Sequence, residues 1–336
     1  MGAALTLGIR SQLAERRSRL DQLVTEVEDP RDLVRLLDQV DRALDRLALP
    51  SFGECAVCHG HFDDRELLDN PLATYCLCDL SDAQQRMLER DLELAWRIQA
   101  SLLPPASLSA AGWDAHYRYQ PLGTIGGDYC DLLPQSAGAA DYLYFLMGDV
   151  AGKGVAAALL MSHLSATVRS LVRAGAGLDE LMLEANRTLR KYSPEAHYMT
   201  LVGGRARSDG RVEILNAGHT APIVLRKTRS ETISSTAPPI GLFDRRPDSD
   251  AGLDGPQVVE LALEPGDTIL LYTDGLTEAS NAQDQDYGSE RLMQLGARLH
   301  GSHPATLVAE CLKDLKVFLD GAPRSDDLAV MALRRE

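Results

Sequence analysis

The sequence predicts an α+β protein whose C-terminal part is a pair of packed β-sheets flanked by helices. A helical hairpin, a cysteine cluster and a long connecting helix precede it. Three observations carry this. Apolar residues recur at helical spacing through residues 3–48. Four of the six cysteines fall between positions 55 and 78. From residue 113 the pattern turns to apolar strand-like runs. These are clustered, with helices grouped between them, which favours packed sheets over alternating βαβ units.

The hairpin is read at residues 3–27 and 31–48. Leu13, Leu20, Leu23 and Val24 line the first helix. Leu33, Leu36, Leu37, Val40, Leu44 and Leu47 line the second. Pro30 separates them and suits a helix start. The stretch GECAVCHG follows, then NPLATYCLCD. A helix comes next, SDAQQRMLERDLELAWRIQASLLPP, capped by Ser81 or Asp82 and stopped by Pro104 and Pro105. Its Leu88, Leu92, Ala95 and Leu102 fall at three-to-four spacing with Gln99 in the seam. This reads equally as a dimerising coiled-coil linker or as a helix packed on its own domain. WDAHYRYQPL, YLYFLMGDV, HYMTLVGGRA, RVEILNAG, APIVLRK, DTILLYTDG and LAVMALRR are the expected strands. Residues 155–173, 177–192, 289–300 and 304–320 are the expected helices. The expected parts are residues 1–80, a linker at 81–105, and a catalytic domain at 106–336.

Composition narrows the function. The net charge is −15 and the pI about 5, with no Lys/Arg stripe, which argues against direct nucleic-acid binding. No apolar run reaches the roughly 18 residues of a membrane span. The N-terminal MGAALTLGIRSQLAERR is too charged for a signal peptide, so a cytoplasmic location is expected.

The run MGDVAGKGVAAALLM invites a phosphate-loop reading, and its spacing refuses it. Only three residues separate Gly148 from Gly152, and Gly154 follows Lys153 where a Ser or Thr is needed. What remains is Asp149 at the end of an apolar strand, before a tight turn. An acid buried there needs a partner or a cation. Asp128 in TIGGDYCDL, Asp274 in LLYTDGLTEA, and Asp326 and Asp327 in RSDDLAVM share that setting, beside glycine or another acid. Carboxylates without clustered histidines favour hard ions such as Mg2+ or Mn2+.

These motifs, G-G-D-Y-x-D-L, G-D-V-x-G-K-G-V-x-A-A-L-L-M, N-A-G-H-x-x-P, Y-T-D-G-L-T-E and D-D-x-A-V, resemble those of the PPM-type metal-dependent serine/threonine phosphatases, in the bacterial SpoIIE/RsbU-like branch. The resemblance covers about residues 85–334. It implies an αββα sandwich of two antiparallel sheets. It also implies two Mn2+ or Mg2+ ions, with Asp149 bridging them and the carbonyl of Val150 meeting one. Asp128 would support the centre, and Asp274 and Asp326 would complete it. Either acid of the Asp326–Asp327 pair fits the motif, and Asp326 is favoured. Asp131, Lys153, His219 and Glu278 lie in the motifs with weaker standing, and Asn216 to His219 could shape the mouth of the site. The resemblance further implies a partner-switching pathway, with a phosphorylated STAS-type anti-sigma-factor antagonist as substrate.

Cys55-x2-Cys58, seventeen residues, then Cys76-x-Cys78 is close to a four-cysteine zinc site. With the hairpin before it, this resembles the DksA/TraR-type zinc finger, with one departure. Asp79 stands where the fourth cysteine is expected, so the fourth ligand is Cys78, Asp79, His59 or His61. Reduced or redox-active thiols are the other reading. The expectation is a homodimeric phosphatase whose residues 1–80 answer an upstream regulator. A non-catalytic phosphatase-fold scaffold and a transcription-associated protein acting through the zinc module are the alternatives.

Overall fold

The computed structural model describes residues 3–26, 31–47, 49, 51–55, 60–73, 82–137, 140–152, 154–192, 198–242 and 257–336. The chain divides into two compact units, Met1–Asp91 and Leu92–Glu336.

In the first unit, α1 (Ala3–Glu26) and α2 (Arg31–Leu47) pair as the leucine spacing predicts. Ile9, Leu13, Leu20, Val40, Ala43 and Leu47 form a small core that also takes in Phe52 and Leu67. Arg17 crosses between the helices to Asp41 at 2.6 Å. The chain then doubles back. Glu54 and His61 form an antiparallel bridge, and the Cys55 amide donates to the Gly60 carbonyl at 2.8 Å. A short helix, α3 (Asp64–Asp69), follows, its start held by a capping box between Asp63 and Glu66. Cys55 is buried in this turn. Cys58, Cys76, Cys78, Asp79 and His59 lie outside the described residues.

Helix α4 (Asp82–Leu102) runs across the division of the units. In the second unit, eleven strands make two antiparallel sheets among the described residues. One sheet has the order β1 (Ser107–Ala110), β2 (Trp113–Gln120), β11 (Leu328–Arg335), β10 (Thr268–Tyr272), β7 (Ile223–Leu225), β8 (Ser230–Thr232). The other has the order β3 (Asp128–Ala137), β4 (Ala140–Val150), β5 (Met199–Arg207), β6 (Arg211–Ala217), β9 (Val259–Ala262). Trp113, Tyr117, Phe145, Met147, Val202, Ile269, Leu271 and Met331 fill the space between them. Helices α5 (Val155–Arg173) and α6 (Leu178–Tyr192) pack outside the five-stranded sheet. Helices α8 (Ser289–Arg298) and α9 (Pro304–Leu319) pack outside the six-stranded one.

One long element departs from expectation. The expected strands do not include Asp128–Ala137, which forms the ten-residue strand β3 with Asp128 at its start. Two acids and Pro134 obscure the alternation there. β3 is an edge strand, where proline is tolerated. No uninterrupted apolar run of span length is present in α5 either, since His163 and Arg169 interrupt it, although by length and mean composition it would suit a span. Its Ala157, Met161, Leu164, Val168 and Val172 pack with Tyr129, Leu146 and Val150 of the sheet, so it is built as a core helix.

Candidate metal centre

Antiparallel pairing brings the acids together. β3 and β4 are registered so that Asp128 lies directly across from Asp149. At one end of the other sheet, the Asp128 Oδ2 accepts a 3.0 Å hydrogen bond from the Thr273 hydroxyl, whose oxygen accepts from the Ala329 amide at 2.9 Å. Thr273 therefore ties β10 and β11 to the start of β3. It also precedes Asp274, which opens the four-residue helix α7 (Asp274–Thr277). The turn before β11 supplies Asp326 and Asp327.

The two neighbours in that turn do different things. Asp327 accepts from the Leu122 amide through Oδ1 and from the Gly127 amide through Oδ2, each at 2.7 Å. It clamps the loop that leads into β3. Asp326 is half-buried, and its Oδ1 accepts from the Asp327 amide at 2.9 Å.

Electrostatics show that the acids share one space. Burial, then Asp149 and Asp327, push the carboxyl of Asp128 well above the usual carboxylate range, against the opposing bond from Thr273. Burial, then Asp274, Asp326 and Asp327, raise Asp149 to about 7. Like charges this close cannot all ionise in water's absence, and a cation is the ordinary remedy.

The space beside them suits such an ion. A Cβ placed on Gly127 would sit 3.3 Å from the Val150 carbonyl oxygen and 3.5 Å from the Asp149 Oδ1. Both oxygens lie close to the bare side of Gly127, as does the Ala157 Cβ at 3.2 Å from the same point. All the donors are hard oxygens, which fits Mg2+ or Mn2+. Among the described residues no three His, Cys, Asp or Glu side chains already stand in closed ligating geometry. The acids are close enough to feel one another's charge.

The remaining motif residues lie around these acids. Asp131 is buried away from them, accepting from Arg169 and the Tyr129 hydroxyl. His219 is buried, its Nδ1 2.9 Å from the Thr200 hydroxyl, and burial pushes its pKa down to about 4. Thr200 is the register partner of Asp149 on β5. Asn216 braces the turn, accepting from the His219 amide at 2.8 Å. Glu278 ends α7, its carboxyl raised by burial and by Asp274. Lys153 lies outside the described residues. The sequence reading missed Thr273, although it stands beside Asp274 in the same motif. Cys130 and Cys311 are core residues; burial holds the first thiol well above its usual range and pushes the second up to about 12.

Two facing antiparallel sheets, paired outer helices and a group of acids at the sheet ends define a PP2C-type phosphatase domain. Residues 139–336 match the family model for stage II sporulation protein E (SpoIIE), which is more than half of the chain. The chain belongs to that family of protein serine/threonine phosphatases. It is 22% identical over 253 residues to the phosphoserine phosphatase RsbU of Bacillus subtilis, covering 75% of this chain and 72% of that one. It is 25% identical over 303 residues to the protein IcfG of Synechocystis, covering 80% of this chain and 44% of IcfG, so it spans less than half of that relative's length. Among solved structures, the SiaA PP2C domain of Pseudomonas aeruginosa superposes with a TM-score of 0.63 at 19% identity, over 76% of this chain and all of that one. The RsbU and RsbW domains of Rv1364c from Mycobacterium tuberculosis give 0.56 at 27% identity, over 69% and 62%.

Proposed function

We propose that this chain is a regulated serine/threonine phosphoprotein phosphatase with a binuclear Mn2+ or Mg2+ centre. Asp149, the Val150 carbonyl, Asp274 and Asp326 would hold the ions. Asp128 would support them, and Asp327 would keep the adjoining loop in place. When bound, the ions supply an acidified water near neutral pH and offset charge on the phosphoryl oxygens. The chain's own contribution is to hold five acids in one half-buried group and to keep Asp128 and Asp149 across one strand pair. The buried, neutral thiols of Cys130 and Cys311 are not placed to serve as nucleophiles. The observation that carries the reading is the convergence of acids from both sheets, with Asp149 raised to about 7 by burial and then by its acidic neighbours.

The kinship with RsbU supports a partner-switching role, with a phosphorylated STAS-type anti-sigma-factor antagonist as substrate. The test is phosphate release from such a phosphoserine protein by the full chain in Mn2+. Release that needs the metal supports the reading. A folded chain that binds Mn2+ and the phosphoprotein but releases nothing supports the scaffold alternative.

The N-terminal unit is proposed to carry a structural zinc on Cys55, Cys58, Cys76 and Cys78 and to answer an upstream regulator. Cys55 is buried, beside the Glu54–His61 bridge, as a zinc ligand would be. Metal analysis of reduced full chain is expected to find about one zinc per chain; a metal-free sample with the unit still folded contradicts this.

A homodimer joined through α4 belongs to the same reading. The seam holding Leu92, Ala95 and Leu102 also holds the buried Gln99, which turns that face toward its own domain. Met87, Leu94 and Ile98 lie on another single face of α4, and all three are exposed. Leu94→Glu is therefore expected to shift the full chain from dimer to monomer in sedimentation. An unchanged sedimentation coefficient removes α4 from the dimer contact.

A further inference from the structure

We propose that Gln99, on helix α4 and outside the segment that defines the family, is a positioning residue for the metal centre. Gln99 is 4% exposed, while its neighbour Ile98 is 55% exposed. Its carboxamide meets both peptide groups of one residue. The Nε2 donates to the Gly126 carbonyl at 2.6 Å, and the Gly126 amide donates to Oε1 at 3.2 Å. A side-chain amide used in this way replaces a strand neighbour, so that a buried loop residue keeps both of its hydrogen bonds.

Gly126 leaves no space for a side chain. A Cβ there would lie 2.2 Å from both the Asp327 Oδ2 and the Tyr119 hydroxyl, so the loop is already in closest approach to the acid turn. The next residue, Gly127, gives its amide to Asp327, and its bare side lies against the Asp149 Oδ1 and the Val150 carbonyl, where a Cβ would be tight. Asp128 follows. Gln99 thus holds the loop at Gly126, and Asp327 holds it at Leu122 and Gly127, just before β3 begins.

A second tie keeps α4 in place for this task. Arg169 of α5 bonds both oxygens of Asp131, at 2.7 and 3.0 Å, and donates to the Leu102 carbonyl at the end of α4. The Tyr117 hydroxyl donates to the Pro104 carbonyl at 2.7 Å. The last turns of α4 are therefore bound to β3, which starts at Asp128, and to α5, which follows Asp149. Groups that hydrogen-bond directly to metal ligands alter metal affinity by about 10- to 100-fold when removed; Gln99 acts further out, through the Gly126 peptide, and belongs at the lower end of that range.

The proposal rests on the metal-centre reading above. The test uses full-length wild type, Gln99→Met, Gln99→Glu and, as a control on the same helix, Arg97→Ala. The Met variant fills the space without hydrogen bonds. The Glu variant can accept from the Gly126 amide but, as a carboxylate, cannot donate to its carbonyl. Mn2+ affinity is read by calorimetry, and folding by thermal unfolding in chelator. Both Gln99 variants are expected to bind Mn2+ about tenfold or more weakly, with Arg97→Ala as wild type. The Mn2+ concentration for half-maximal hydrolysis of p-nitrophenyl phosphate should rise by the same factor, with KM at saturating metal unchanged. Folded variants that bind Mn2+ within about twofold of wild type overturn the proposal, even if their unfolding midpoints drop. Should both variants fail to fold, amide exchange in the wild type decides. The Gly126 amide is expected to be protected, and more so in Mn2+; rapid exchange of Gly126 in the loaded protein overturns the clamp. If the wild type itself binds no Mn2+, the metal-centre reading fails instead.

Discussion

Asp149→Asn is expected to abolish turnover without weakening the fold. The expected loss is on the order of a thousandfold in kcat/KM, equal to about 4 kcal/mol of barrier. The substitution keeps the shape of the side chain and removes the charge that would bridge the ions. Its effect on stability should run the other way. In the metal-free protein Asp149 stands against Asp274, Asp326 and Asp327, which with burial raise its pKa from the usual 3.8 to about 7. The folded state therefore holds this proton more tightly than the unfolded state does. That advantage is complete below about pH 4 and is lost as pH rises toward 7. In chelator, wild type should thus become less stable relative to Asp149→Asn as pH rises from about 4 to 7. Saturating Mn2+ should remove the deficit in wild type alone. Thermal unfolding across that range, with and without metal, checks both signs. A gap between the proteins that ignores pH would show that Asp149 does not feel the other acids. Retained activity in the variant would remove it from the centre.

Gly275→Ala is expected to damage the same site through packing. Gly275 is buried in α7, directly after Asp274. A Cβ on it would fall 1.7 Å from the Asp327 carbonyl oxygen and 3.4 Å from the Asp326 Cβ. The first obstacle is backbone, which cannot swing aside as a flexible side chain would. Either α7 or the turn before β11 must move, and both carry acids of the group. Overpacking of this kind costs about 1–3 kcal/mol and sometimes more. For a unit of this size that lowers the unfolding midpoint by about 2–4 °C per kcal/mol. Activity should fall further than stability, because Asp274 and Asp326 are displaced together. Gly123→Ala is the control. Its Cβ would meet the Ile125 carbonyl at an ordinary 3.7 Å, and little change is expected. If Gly275→Ala retains both midpoint and Mn2+ affinity, α7 and the β11 turn are not locked as described.

The parts most legible in the sequence are those with a strong local signal. Helix α5 spans Val155–Arg173, the limits set by the glycines before it and the periodic apolar stripe within it. Asp149, Asp274 and the Asp326–Asp327 pair could be picked out because each adjoins a strand of plain apolar character and a glycine or a second acid. β3 was harder, since charge and proline interrupt its pattern, and its strand character comes from pairing with β4. The short strands β1, β8 and β9 were also missed, for they have three or four residues and lie at or next to sheet edges. What no local pattern carries is the set of contacts made across the fold. Thr273 reaches Asp128 over 145 positions of sequence, and Asp327 reaches Gly127 over 200. Gln99 showed in the sequence only as a polar residue in an apolar seam. Its partner Gly126 became visible once the loop was folded against α4.

The most direct test of the central claim, that Asp149 bridges ions in a group of acids, is Mn2+ titration calorimetry of the full chain and of Asp149→Asn at neutral pH. The account predicts about two ions per catalytic unit in wild type, with proton release on binding as Asp149 gives up its proton, and a marked loss of that binding in the variant. Wild type that binds no Mn2+, or a variant that binds it undiminished, would contradict the account.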